Sequence, residues 1–123
     1  MLYSLDRLDV VRSIPHVVDY KRWTSRMSTV ELKAIRDELN RKISGSEIQT
    51  SSWMPGSDWR GTVYQPIWER ACNKDVDAAA KCFGLILWSV MKDRDDWWSF
   101  GRYKLNDVPI RGLTYFRIEN PLG

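Results

Sequence analysis

Apolar residues recur at helical spacing over most of this chain and change to a strand-like pattern near its end. Val17, Tyr20, Trp23 and Met27 fall at steps of three or four, one face of a helix. Ser13-Ile14-Pro15 reads as its start, because the fixed φ of proline suits a first turn. Lys21, Arg22 and Arg26 lie largely off that face. Ser28-Thr-Val-Glu31 opens a second helix as a capping box, in which the serine hydroxyl takes the Glu31 amide and the Glu31 carboxylate returns to the Ser28 amide. Leu32, Ile35, Leu39 and Ile43 form the stripe that follows. Lys33, Arg36, Asp37, Asn40 and Arg41 form the wet face, and Gly45 supplies the stop. A helix over 29–43 is predicted.

Further along, Pro66 opens a short helix to about Cys72, with Ile67 and Ala71 pointing inward. A long helix over about 75–92 follows, capped by Asp75 or Asn73. Its first half is amphipathic and alanine-rich. Its second half, Cys82-Phe-Gly-Leu-Ile-Leu-Trp-Ser-Val-Met91, is apolar nearly all round, which predicts the central buried helix. Gly84 within it costs about 1 kcal/mol relative to alanine; a closely packed neighbouring backbone would offset that.

The pattern then changes. Phe100–Leu105, Val108–Gly112 and Leu113–Ile118 read as two or three strands, with Asn106-Asp107 as a turn and Pro109 at an edge or irregular position. Leu2, Leu5 and Leu8, followed by Val10-Val11, predict a short helix or irregular arm. The whole reads as an α+β fold, a mostly helical single domain over 1–123 with about four helices. The helical part covers about 1–97. A small C-terminal antiparallel β-hairpin or sheet over about 98–119 packs on the buried central helix.

Between the helical halves lies a segment rich in proline, glycine and tryptophan, Trp53 to Trp68. Pro55-Gly56 suits a turn, and Gly61 adds a second flexible point. Trp53, Trp59 and Trp68 are large enough to pin an irregular segment, so residues 44–64 are expected as an ordered loop docked on the helices. Two roles compete for it: a structural clamp with Asp58 as a local turn acceptor, or a recognition loop showing Trp59, Arg60 and Tyr64. Gly56-Ser-Asp-Trp-Arg-Gly61 lacks the Lys-Ser/Thr of a phosphate-binding loop, and no apolar strand precedes it.

Charge changes the picture only slightly. The net charge is +3. Residues 1–45 carry nine Lys/Arg against six Asp/Glu, 46–97 six against eight, and 98–123 four against two. Basic ends are compatible with an anionic partner but fall short of a nucleic-acid footprint. No apolar run reaches the length of a membrane span, and Met1–Arg7 lacks the pattern of a signal peptide, so a cytoplasmic protein with no membrane partner is expected. Cys72 and Cys82 are not spaced as CxxC. With His16 as the single histidine they complete no zinc site, and neither metal nor cofactor is expected.

Candidate chemistry is sparse. A Ser-His or Cys-His site would have to use His16. Asp58 and Glu69 flank the aromatic loop and could form an acid–base pair if both face one pocket. Asp93, Asp95 and Asp96 read as a solvated helix end. On strand 111–117, Arg111, Tyr115 and Arg117 share a face, and Arg102 and Lys104 share one on the strand before. If the faces coincide, the sheet presents four cations and an aromatic to phosphate and bases. The leading expectation is a small non-enzymatic binding protein, an accessory factor or inhibitor of bacterial or phage type, acting through a protein–protein surface. The binding residues would be Trp59, Arg60, Tyr64, Arg102, Lys104, Arg111, Tyr115 and Arg117. The alternatives are a nucleic-acid-binding module on the C-terminal strands, and a small enzyme built on Asp58 and Glu69. An exposed aromatic patch would also allow a homodimer.

Overall fold

A helix that is apolar on most of its faces needs cover on several sides, and the chain supplies it from both ends. The computed structural model describes residues 1–50, 58–109 and 112–123, so Trp53, Pro55-Gly56 and Arg111 lie outside the described residues. Helices α1 (Val17–Thr24), α2 (Thr29–Ser44) and α3 (Val76–Asp93) are joined by a π-helix (Ile67–Ala71) that precedes α3. The strands are β1 (Tyr3–Ser4), β2 (Asp9–Val10), β3 (Ile48–Thr50), β4 (Trp98–Gly101), β5 (Lys104–Leu105), β6 (Val108–Pro109) and β7 (Thr114–Arg117). The architecture is α+β, with the helices and small antiparallel sheets gathered around α3.

Asp75 caps α3 by accepting from the Ala78 amide. Cys82, Phe83, Leu85, Ile86, Leu87, Val90 and Met91 on α3 are buried, as the apolar run predicts. The capping box at Ser28 forms with both of its hydrogen bonds, and Ile35, Leu39 and Ile43 turn inward from α2. Helix α1 starts later than Pro15 suggests. His16 takes the N-cap position in the left-handed region, φ 50°, with no side-chain cap. Trp23 and Met27 are buried, whereas Val17 is exposed.

Strand β7 is the middle of a three-stranded antiparallel sheet, between β3 and β4. Phe100 and Gln49 flank Tyr115, and the Thr50 and Thr114 hydroxyls meet across the β3–β7 pair at 3.2 Å. β5 and β6 form a separate ribbon. Its central residues, Asn106 and Asp107, have φ 52° and 64°, the two left-handed residues of a type I′ turn.

Two expectations need correcting. Residues 1–12 are neither helix nor irregular arm but a hairpin, β1 paired with β2. The spacing of Leu2, Leu5 and Leu8 is not a buried face. Leu2 alone is buried, bridging to Trp98, while Leu5 and Leu8 are exposed around the hairpin turn. The segment 44–64 is not wholly loop either, because Ile48–Thr50 adds a strand to the sheet. Three residues with an exposed Ile48 carry too little alternation to be read from sequence; β7 supplies the partner.

Polar groups tie the far end of α3 to its surroundings. Arg94 forks onto Asp96, Nε to Oδ1 at 2.8 Å and Nη2 to Oδ2 at 2.9 Å, and its Nη1 donates to Asn40 Oδ1 on α2 at 2.8 Å. The α-amino group of Met1 donates to the carbonyls of Met91, Arg94 and Asp96. A cation at the C-terminus of a helix also matches the helix dipole. Higher on α3, buried Ser89 accepts from Arg36 Nη1 of α2 at 2.6 Å, and the other arm of Arg36 reaches Asp93 at 3.0 Å. Cys72 and Cys82 are free thiols buried against each other; burial pushes both up, far out of the thiolate range for Cys82. Among the described residues no helix is long and apolar enough to cross a membrane.

The hydrogen bonds from Arg94 hold the Asp96 carboxyl below the usual range. A carboxyl lowered on folding adds stability that is present above its unfolded pKa, about 3.9. That stability is lost as the pH falls through the folded value. Arg94→Ala is therefore expected to cost roughly 2–3 kcal/mol at neutral pH by stranding Asp96. Urea unfolding at pH 7 and pH 3 checks this: the gap between wild type and variant should narrow at the lower pH, and an unchanged gap would remove Asp96 from the account.

Candidate groove between helices α1 and α3 and the sheet

One side of α3 carries Ala80, Lys81, Gly84, Leu85 and Trp88. These positions repeat at steps of four along one side of a helix. With Pro15 and His16 before α1, Asp19 and Trp23 on it, Tyr115 of β7, and Arg102, Gly112 and Leu113 from the segments that flank the strands, they line a groove of about 520 Å³. That volume lies in the range of ligand sites. The lining is mostly apolar.

Each wall has a local cause. Trp88 is fixed by its Nε1 donating to the Ser13 carbonyl at 3.0 Å and by its ring against Phe100, centroids 4.7 Å apart. Trp23 is buried under the Arg22 guanidinium, 5.6 Å from the ring. Arg22 also binds Asp19 at 2.8 Å, which compensates the acid in the groove. Lys81 and Arg102 are exposed at the rim, and among the described residues neither makes an ion pair. The floor is open because of Gly84. A Cβ built there would meet no atom within 4 Å among the described residues, so none of them supplies the neighbouring backbone expected against this glycine.

The residues singled out in the sequence scatter. Trp59 packs on Phe83 and Tyr64, centroids 5.8 and 6.3 Å away, and Tyr64 meets Phe83 edge-on at 5.5 Å. This is the arrangement of a clamp on α3. Tyr64 is only 3% exposed and Tyr115 only 1%, so neither ring stands free on the surface, and Tyr115 contributes to the groove from within the core. Burial raises both phenols, Tyr64 to about 12. Arg60 is exposed and forks onto Asp58, Nε–Oδ1 3.1 Å and Nη2–Oδ2 3.0 Å. That contact holds the Asp58 carboxyl low. Glu69 accepts from Gln65 at 2.6 Å, and neither Asp58 nor Glu69 lines the groove. Lys104 and Arg117 are exposed on the β5–β6 ribbon and at the end of β7, and of the C-terminal cations among the described residues only Arg102 reaches the groove. Arg111 lies outside the described residues. The lining contains no serine, threonine or cysteine among the described residues. Among the described residues no three His, Cys, Asp or Glu side chains converge as metal ligands.

Comparison with protein-family models, with curated proteins and with solved structures finds no match to this chain. The reading of the groove therefore rests on its own geometry.

Two variants test the roles assigned to Trp59 and Gly84. Trp59→Ala should lose roughly 2–3 kcal/mol in urea unfolding, less than a fully buried tryptophan; an unchanged midpoint would return Trp59 to a recognition role. Gly84→Ala should raise stability by about 0.5–1 kcal/mol, because the helix gains propensity and the methyl meets open space. A lower melting temperature for this variant would show that Gly84 is required by packing.

Proposed function

We propose that the protein is a non-enzymatic binding protein that holds a segment of a partner protein in the groove between α1, α3 and the sheet. One observation carries the reading. The groove is already shaped, with its tryptophans fixed, and its floor stays open at a residue that could hold a side chain without any clash. A site formed before binding spends less on ordering when a ligand arrives. Trp88 and Arg102 are the residue types that anchor protein interfaces. The role would be that of an accessory factor or inhibitor. We place it in the cytoplasm, where two cysteines in contact stay reduced.

The nucleic-acid reading loses its stacking ring, since Tyr115 is core, and keeps Arg102, Lys104 and Arg117 as dispersed surface cations. The enzyme reading has Asp58 committed to Arg60 and held ionised, which is the wrong state for a proton donor near neutrality.

The test uses the purified chain and the double variant Lys81→Glu, Arg102→Glu as baits in a lysate of the source cell, with short DNA and RNA titrated in parallel. Wild type should retain a partner that the double variant loses, with both baits melting at the same temperature. Equal retention would remove the groove from the interaction. Tryptophan quenching by oligonucleotides that weakens steeply with salt would replace the protein reading with the nucleic-acid one.

A further inference from the structure

We infer that the occupant of this groove is an acidic segment carrying one large apolar side chain, seated over Gly84, with a neighbouring carboxylate held between Lys81 and Arg102. The inference rests on the groove being the binding site and adds the chemistry of what it takes.

The apolar half of the claim follows from the floor. Leu85, Trp88, Trp23 and Leu113 present carbon, and at Gly84 the helix backbone itself is accessible, with nothing among the described residues within 4 Å of where a Cβ would stand. A side chain entering there packs against backbone and indole and excludes water from both, which is where an apolar anchor gains most. Alanine at this position would fill part of that space. The glycine thus sets the depth to which an anchor can descend.

The acidic half follows from the charge balance. Asp19 is the single acid of the described lining, and Arg22 compensates it at 2.8 Å. Lys81 on α3 and Arg102 beyond β4 have no counter-ion among the described residues, and they stand on different walls of one cleft. Walls of low dielectric concentrate such a field on whatever enters. A carboxylate beside the anchor satisfies both cations. A polynucleotide fits less well, because its phosphates recur at each nucleotide and need a track of cations, whereas Lys104 and Arg117 lie outside the groove.

The test follows the indole N–H resonances of Trp88 and Trp23 by heteronuclear NMR, with three ligands at millimolar concentration. These are the peptide acetyl-Glu-Phe-Glu-amide, its counterpart acetyl-Gln-Phe-Gln-amide, and a single-stranded thymidine tetranucleotide. The acidic peptide should shift the Trp88 signal saturably at low salt. It should bind about three- to fivefold more tightly than the glutamine peptide, the size expected of one or two solvent-exposed ion pairs. Lys81→Gln with Arg102→Gln should bring the two peptides to equal affinity. Gly84→Leu should abolish the shift while circular dichroism stays unchanged. Equal affinity of the two peptides for wild type would overturn the carboxylate contact and leave the groove reading standing. A shift that survives Gly84→Leu would overturn the seat over Gly84. If no peptide moves either indole signal, the groove reading itself fails and this inference with it. A larger shift with the tetranucleotide would overturn the assignment to an acidic peptide.

Discussion

The structure depends on hiding the second half of α3. From Cys82 to Met91 nearly every residue is apolar, and a helix of that kind is stable in water only if neighbours close on several sides. No single element here could do it. Helix α2 brings Ile35, Leu39 and Ile43, the π-helix brings Ile67 and Ala71, and the segment before it lays Trp59 and Tyr64 on Phe83. The sheet adds Trp98, Phe100 and Tyr115, and the N-terminal hairpin exists largely to place Leu2 beside Trp98. Short strands of two to four residues would not persist alone. Strands β4 and β7 are held because Trp98 and Tyr115 join the core built on α3.

Apolar cover is not very selective about how helices are rotated, and the polar junctions supply that selection. Ser89 sits within the apolar run and is reached by Arg36 from α2, whose other arm binds Asp93. Arg94 joins the end of α3 to Asn40 and Asp96, and the Met1 amine closes on the carbonyls beside it. Each contact satisfies a group that would be costly to strand. Sliding α2 along α3 by one turn would break both arginine contacts together, so the register of the pair is set by a few hydrogen bonds more than by the volume of the core.

The parts legible in the sequence were those decided locally. The capping box at Ser28, the stripe of α2, the cap at Asp75 and the apolar run of α3 need only residues within a few positions of one another, and each formed as read. The Asn106-Asp107 turn belongs to the same group. What escaped was decided at a distance. β3 is a strand because β7 is beside it, and Leu2 is buried because Trp98 is. Of the expected binding residues, Tyr64 and Tyr115 became core, since an aromatic that can reach the cover of α3 is better placed there than in water. The groove escaped for a related reason, because its walls come from parts of the chain far apart in sequence. Its one local sign was Gly84, with Ala80 and Trp88 four residues to either side, and the general rule for a helix glycine pointed to close packing.

That rule fails here in an informative way. A glycine within a helix is normally kept for one of two reasons, a backbone angle that other residues avoid or a neighbour too near to admit a Cβ. Gly84 sits inside regular α3 and has nothing within 4 Å of the missing Cβ among the described residues, so neither applies to them. Alanine would be better for the folded chain by itself, since it lowers the entropy of the unfolded state and favours the helix. Natural chains often keep residues that are not the most stable choice, so Gly84 alone does not call for a partner; it supports the proposed role of the groove only together with the other features of its walls. The groove around it also holds Lys81 and Arg102, which make no ion pair among the described residues, and the indoles of Trp23 and Trp88. Space over a helix glycine, a tryptophan held by contacts on both sides, and rim cations with no ion pair among the described residues are the features on which the proposed docking of a partner segment rests.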